Sequence, residues 1–280
     1  KQLATLTTDN SGNTDTVEVK AGTVYIKELS APAGYKVDNT VYSLNVEAGK
    51  TATLSVSDTP KVTDTLIELF KIDMETQKDA PQGDASLEGA EFTWKFYAGH
   101  YTADNLPSEP TKTWVTKTIA EKDSDGTIHY VSRLSDEYKV SGDSFYTQDG
   151  KNVLPLGTLT ALETKAPNGY LLDGAYMQAN GSEEQIKGMY LTQITEDGDI
   201  AVLSGSNQYH VSDKVIHGGV KIQKRDLETS DTKGQGSATL KDAEFEITSL
   251  NDNAVLVEGK LYSKNEVVKT ILTDIEGVAS

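Results

Sequence analysis

Six charged side chains recur at matching points of this sequence, and their types could make a covalent bond. Glu28 and Glu163 each end a strand-like run just before an Ala-Pro-x-Gly-Tyr box, in YIKELSAPAGYKVD at 25–38 and LTALETKAPNGYLLD at 159–173. Side chains alternate between the two faces of a strand, so phase says which way each one points. Glu28 is in step with Val24 and Ile26, and Glu163 with Leu159 and Ala161. By the same test Lys71 shares its face with Ile67 and Leu69, and Lys224 with Val220 and Ile222. Asp58 falls with Ala52, Leu54 and Val56, and Asp213 with Tyr209 and Val211. All six are expected to point inward: a lysine on a first strand, a glutamate on a late strand, an aspartate on a last strand.

Such an arrangement is costly, because a buried ion pair repays its lost hydration only with excellent geometry. Neutralisation is the cheaper route. Full burial lowers a lysine pKa and raises a carboxyl pKa, by as much as ~3–5 pH units. A neutral lysine is a nucleophile, a protonated aspartate is an electrophile, and a glutamate that keeps its proton can shuttle it between them. The product is an amide and one water. Folding supplies the proximity, with effective molarities on the order of 10⁵ M or more, and neither a cofactor nor a metal is needed. An unreacted hydrogen-bonded triad is the alternative, as is a bulge that slips the strand phase and leaves the groups exposed.

The elements that must hold these groups are strands. The chain has 280 residues, 36% hydrophobic and 7% aromatic, with 23 glycines and no long helical stripe. This suits short half-buried strands between turns. Hairpin signals stand at Asp123-Ser124-Asp125-Gly126, in TQDGKN at 147–152 and in TEDGDI at 195–200. The segment TWVTKTIAEKDSDGTIHYVSRL reads as one long hairpin, and the whole as an all-β sandwich or barrel with little helix. A net charge of −17 opposes binding to nucleic acid and to anionic membranes. Without cysteine there is no disulfide, thiolate metal site or cysteine nucleophile. The sequence holds no leading signal segment and no run of 18 apolar residues, so this stretch is expected neither to target nor to span a membrane.

Internal similarity sets the organisation. GDASLEGAEF at 83–92 is echoed by GSATLKDAEF at 236–245, ELFKIDMET at 68–76 by KIQKRDLET at 221–229, and SVSDTP at 55–60 by HVSDKV at 210–215. Lys71 and Lys224 are 153 residues apart and Asp58 and Asp213 155. One complete unit over 61–213 is therefore expected, flanked by the C-terminal half of a unit at 1–60 and the N-terminal half of another at 214–280. Excision from a longer protein is the expected source of the cut ends. The alternative is pairing of the halves between chains, Lys224 meeting Glu28 and Asp58 in trans.

At these residues the sequence resembles the CnaB-type domains of Gram-positive surface adhesins and pilins, including SpaA-like pilin repeats. The carriers are Lys-x-Asp at 71 and 224, the GAEF and DAEF boxes, Glu-x-x-Ala-Pro-x-Gly-Tyr and the closing VSD. The resemblance implies tandem Ig-like sandwiches of reversed immunoglobulin topology and a spontaneous lysine-to-Asn/Asp isopeptide bond. Carried over, Lys71 joins Asp213 with Glu163 as proton shuttle; Glu28 and Asp58 lack a lysine, and Lys224 lacks its acids. Asparagine is commoner at the acceptor position, so aspartate here makes the leaving group water.

The function expected is a non-enzymatic stalk of a secreted, wall-attached bacterial surface protein, whose partners are the neighbouring domains of the same protein. A second reading is an adhesin module that holds a host matrix protein or glycan through insertions near 97–150 and 173–207. A hydrolase using Glu163 is a third. His100, His129, His210 and His217 lack ligand spacing and read as solvated strand residues. Glu121, Asp123, Asp125 and Gly126 imitate a calcium loop but have Ser132 at its twelfth position. Asn180-Gly181-Ser182 reads as a turn, and Trp94, Phe96 and Trp114, with Tyr97 and Tyr101 nearby, as core packing before a ligand platform.

Overall fold

The structure is a computed structural model that describes residues 2–64, 66–179, 185–195 and 208–280. The hairpin signal at 195–200 and the Asn180-Gly181-Ser182 turn lie outside the described residues. The chain divides into two units, residues 1–61 and 62–280. Among the described residues the only helical turn is a 3-10 helix at Ala103–Asn105.

The first unit has four strands: β1 (Gly22–Lys27), β2 (Tyr35–Lys36), β3 (Val41–Val46) and β4 (Thr59–Pro60). β1 pairs antiparallel with β3, and β2 with β4. The last strand expected over 51–58 does not form; pairing is confined to β4. The second unit shows why.

There the strands are β5 (Val62–Thr63), β6 (Glu68–Asp73), β7 (Glu91–Tyr97), β8 (Lys112–Lys117), β9 (Ile119–Lys122), β10 (Ile128–Ser132), β11 (Lys139–Gly142), β12 (Tyr146–Gln148), β13 (Lys151–Pro155), β14 (Gly157–Lys165), β15 (Tyr170–Ala179), β16 (Gln185–Lys187), β17 (Tyr190–Ile194) and β18 (Gln208–Val215). They form a six-stranded sheet ordered β16-β15-β18-β6-β10-β9, a five-stranded sheet ordered β11-β8-β7-β14-β17, and a small sheet β12-β13-β5. The first and last long strands, β6 and β18, are parallel neighbours. In the first unit no described strand corresponds to β6, so the run before β4 has nothing to pair with along that edge.

The two large sheets face each other across one apolar core. Leu69, Tyr209, Val211 and Met177 come from the six-stranded sheet, and Phe92, Trp94, Phe96, Leu159, Ala161 and Ile194 from the five-stranded one. Trp94 and Trp114 are fully buried. The Trp94 indole donates to Thr116 Oγ1 at 2.8 Å, and Trp114 stacks on Phe145. These rings build the core and are not exposed as a ligand platform.

The segment 113–134 is not one long hairpin. β8 belongs to the five-stranded sheet, and the chain crosses at Thr118 to start the β9–β10 hairpin in the other. Buried Thr118 fixes the crossing: its hydroxyl donates to Leu87 O and accepts from Ala90 N, and its backbone bonds Ala90 and Gly89. At Asp149-Gly150 the sequence signal does make a two-residue hairpin, with φ of +51° and +76°, the positive pair that a type I′ turn requires.

Residues 214–280 carry β19 (Ile222–Gln223), β20 (Glu244–Thr248), β21 (Val255–Val257), β22 (Lys260–Tyr262), β23 (Val267–Leu272) and β24 (Val278–Ala279). β20 pairs with β23 as β7 does with β8. Thr273 repeats the work of Thr118, its hydroxyl donating to Leu240 O and accepting from Ala243 N. The sequence repeat is thus a repeat of hydrogen bonds.

Removing the ring of Trp94 leaves a large void in a packed interior and takes the indole donor away from the Thr116 hydroxyl, which keeps its bond to Ser132. Trp94→Ala is expected to cost about 3–5 kcal/mol, read from chemical denaturation followed by the fluorescence of Trp114.

Candidate functional site

Lys71 is brought inward because β6 lies in the middle of its sheet, between β18 and β10. Ile67, Leu69 and Lys71 all have zero exposure. From β18 the parallel register sets Val211 beside Lys71 and Asp213 beside Asp73, so Lys71 meets Asp213 on the diagonal. Glu163 approaches from the opposite sheet, on β14, where its register partner on β7 is buried Phe92 of the GAEF box.

The three groups meet. Lys71 Nζ lies 2.6 Å from Glu163 Oε2 and 2.7 Å from Asp213 Oδ1. Lys71 and Asp213 are fully buried and Glu163 is 7% exposed. Lys71 donates a hydrogen bond to Glu163. Glu163 Oε1 and both Asp213 oxygens make none; the 2.7 Å approach to Asp213 falls outside hydrogen-bonding angles. Burial pushes the Glu163 carboxyl up to about 8, with the charge of Asp213 adding to the rise and that of Lys71 opposing it. A glutamic acid that keeps its proton near neutrality is the form a proton shuttle needs.

A second carboxyl competes for attention. Asp73, two residues after Lys71, is also fully buried, but its oxygens are engaged. Oδ1 accepts from the backbone of Glu75 and Thr76, Oδ2 from Tyr170 OH at 2.9 Å, and both from Gln82 Nε2 at 3.2 and 3.1 Å. Asp213 has none of these ties. Of the two acids at this end of the sheet, Asp213 is the one that lies against Lys71 Nζ, at 2.7 Å.

The Asp73 knot joins two sequence boxes, since Tyr170 is the tyrosine of Ala-Pro-Asn-Gly-Tyr. Phase analysis of charged residues missed Asp73, Gln82 and Tyr170; the aspartate following each first-strand lysine by two residues was the available signal. The Ala-Pro-x-Gly-Tyr turns are near-identical. Tyr170 N donates to Pro167 O at 3.2 Å and Tyr35 N to Pro32 O at 3.1 Å. Gly169 and Gly34 both have φ +84°.

The outer copies differ. Glu28 and Asp58 are half-buried, and Glu28 Oε2 accepts from Asp38 N at 2.6 Å. Lys224 was expected to point inward; it is exposed, just beyond the two-residue strand β19. Nothing among the described residues of its own segment pairs with that edge as β18 does with β6, so no sheet closes over it.

The histidines act as local ties. His129 bridges Asp79 at 2.5 Å and Asp123 at 2.9 Å, which together raise its pKa against the burial that lowers it. His210 is half-buried edge-on to Phe70, and its pKa is lowered by burial. His100 bonds Ile194 O and His217 pairs with Glu75. Among the described residues no group of three or more histidine or acidic side chains is placed to hold a metal ion; Asp123 to Gly126 form the turn of the β9–β10 hairpin.

No curated protein matches the chain. Among solved structures, a C-terminal fragment of the pilus adhesin SpaC from Lactobacillus rhamnosus GG is similar at 17% identity and a TM-score of 0.37, over 77% of this chain and 89% of that one. A longer SpaC structure is similar at 17% identity and a TM-score of 0.34; 76% of this chain matches 28% of that one, so the chain spans under a third of it. The family described as SpaA, prealbumin-like fold domain, matches residues 1–60. By that match, residues 1–60, which hold the first Ala-Pro-x-Gly-Tyr and VSD boxes, are similar to SpaA prealbumin-like fold domains.

Proposed function

We propose that this protein is a stalk module of a bacterial surface adhesin or pilus, held shut by an amide between Lys71 and Asp213. The observation that carries the reading is a fully buried lysine amine 2.7 Å from an aspartate whose oxygens have no hydrogen bond, with a proton-holding glutamic acid on its other side. Lys71 Nζ, as the free amine, adds to Cγ of Asp213 in its carboxylic acid form, whose own hydroxyl becomes the leaving group. Glu163 gives its proton to the departing oxygen and recovers one from the nitrogen. One C–N bond forms, one C–O bond breaks, and one water leaves. Glu163 emerges unchanged, and no oxidant or cofactor enters the balance.

The bond would tie the first long strand of the module to its last. Tension in a string of such modules enters at β6 and leaves at β18, so the amide carries the load past the rest of the fold. In a chain without cysteine it would supply the kinetic stability that disulfides give other exported domains. A surface location and attachment to the cell wall go with this role. The SpaA match over residues 1–60 agrees with it.

Intact mass spectrometry tests the reading. The chain is expected to weigh one water less than its composition, while Lys71→Ala, Asp213→Ala and Glu163→Ala each keep the full mass. A wild-type chain of full mass would refute the bond. The link closes a loop longer than 100 residues, so its loss is expected to cost about 4–5 kcal/mol, seen as a lower unfolding midpoint for Glu163→Ala. Bond formation on refolding should also slow as pH rises through about 8, where Glu163 gives up the proton the reaction needs; mass sampled over time at several pH values measures this.

A further inference from the structure

The turn that follows β6 also grips the next segment of the chain. Gln82 is 5% exposed. Its Nε2 holds Asp73 and reaches Glu75 Oε2 at 3.1 Å, while its Oε1 accepts the backbone N–H of Leu256 at 2.7 Å. Beside it Gly83 N donates to Ala254 O at 3.3 Å and Gly83 O accepts from Asn253 Nδ2 at 2.9 Å. Gly83 has φ +59°, and a Cβ there would stand 3.5 Å from Asn251 Nδ2 and Val255 Cγ1. Glu75 completes the contact by pairing through Oε1 with His217, on the link between β18 and β19, at 2.7 Å.

The receiving group is the edge of a β-hairpin. β21 and β22 are joined by Glu258-Gly259, both with positive φ. In a two-residue hairpin the pair next to the turn, Val257 and Lys260, exchanges hydrogen bonds. Leu256, opposite Leu261, therefore directs its N–H outward, and the C=O of Ala254 lies on the same edge. A bare strand edge is a template for pairing, and here the Gln82-Gly83 turn caps it.

The same turn is built a second time. Asp226 Oδ1 accepts from Glu228 N, Thr229 N and Gln235 Nε2, and Gln235 Nε2 also reaches Glu228 Oε2. Gly236 has φ +60°. Asp73, Glu75, Thr76, Gln82 and Gly83 are thus matched by Asp226, Glu228, Thr229, Gln235 and Gly236. The difference is that Gln82 is buried under a hairpin and Gln235 is exposed.

We propose that this turn is a docking socket between modules, whose occupant is the outer edge of a β-hairpin carried by the module that follows. At Gln82 the socket is filled by residues 253–256; at Gln235 it is preformed for the hairpin edge of a further module of the same kind. The joint stiffens the stalk at the end of β6, independently of any bond at Lys71.

Because the chain has no cysteine, Ser124→Cys and Ser263→Cys place two spin labels on the full chain at exposed sites on either side of the joint. Pulsed dipolar spectroscopy should give one narrow distance distribution. Gln82→Ala should broaden it at least twofold, and so should Leu256→Pro, which removes the donor from the hairpin side without touching the Asp73 knot. Gln235→Ala should leave it unchanged. A wild-type distribution already as broad as the variants', no broadening with Leu256→Pro, or equal broadening with Gln235→Ala would each overturn the proposal.

Discussion

A fully buried lysine amine enclosed between two carboxyl groups is the constraint around which the second unit is arranged. In a low-dielectric interior any one of these groups, ionised and unpaired, would cost several kcal/mol, so the surrounding fold must hold all three together. That requirement explains the parallel pairing of β6 with β18. In register, Asp213 lies opposite Asp73 and one step diagonally from Lys71; a slip of one residue would turn Lys71 or Asp213 to the other face of the sheet. Glu163 must then come from the facing sheet, which fixes the separation and alignment of the two layers at this end of the sandwich.

The same demand explains the sequence boxes. Phe92 of the GAEF box is the register partner of Glu163, and Ala90 two residues earlier bonds the Thr118 crossing that brings the chain from one sheet to the other. The Ala-Pro-x-Gly-Tyr turn starts β15 and aims Tyr170 at Asp73. Burial raises the Tyr170 hydroxyl pKa strongly, helped by the neighbouring Asp73 charge, so this phenol remains a donor. With Asp73 saturated and Asp213 unsatisfied, hydrogen bonding distinguishes two otherwise similar buried acids.

Much of this was legible from strand phase. The alternation Ile67, Leu69, Lys71 and the run Leu159, Ala161, Glu163 turn the same face to the core in the structure as in the sequence. Phase failed where it had no partner strand to act on. Lys224 is exposed and residues 51–58 stay unpaired, because inwardness is a property of a closed sheet and not of an alternating string. The crossing at Thr118 was also invisible: β8 and β9 are separated by a single residue and both alternate, so only the hydrogen bonds of a buried threonine mark the change of sheet. Gln82 recurs as Gln235 in the sequence repeat, but its contact with Leu256, 174 positions away, carried no local signal.

Repetition supplies the remaining argument. Where two copies of a turn share donors, acceptors and a positive-φ glycine, the shared part belongs to the module and the unshared part to its neighbours. By that division the Asp-x-Glu-Thr and Gln-Gly elements are intrinsic, and the hairpin edge on Gln82 is an added contact. Its placement at the end of β6 has a mechanical consequence. The strand whose lysine faces Asp213 also ends in the aspartate that Gln82 holds, so a pull arriving through the following segment reaches the buried triad by a short path of hydrogen bonds and backbone, without crossing the aromatic core.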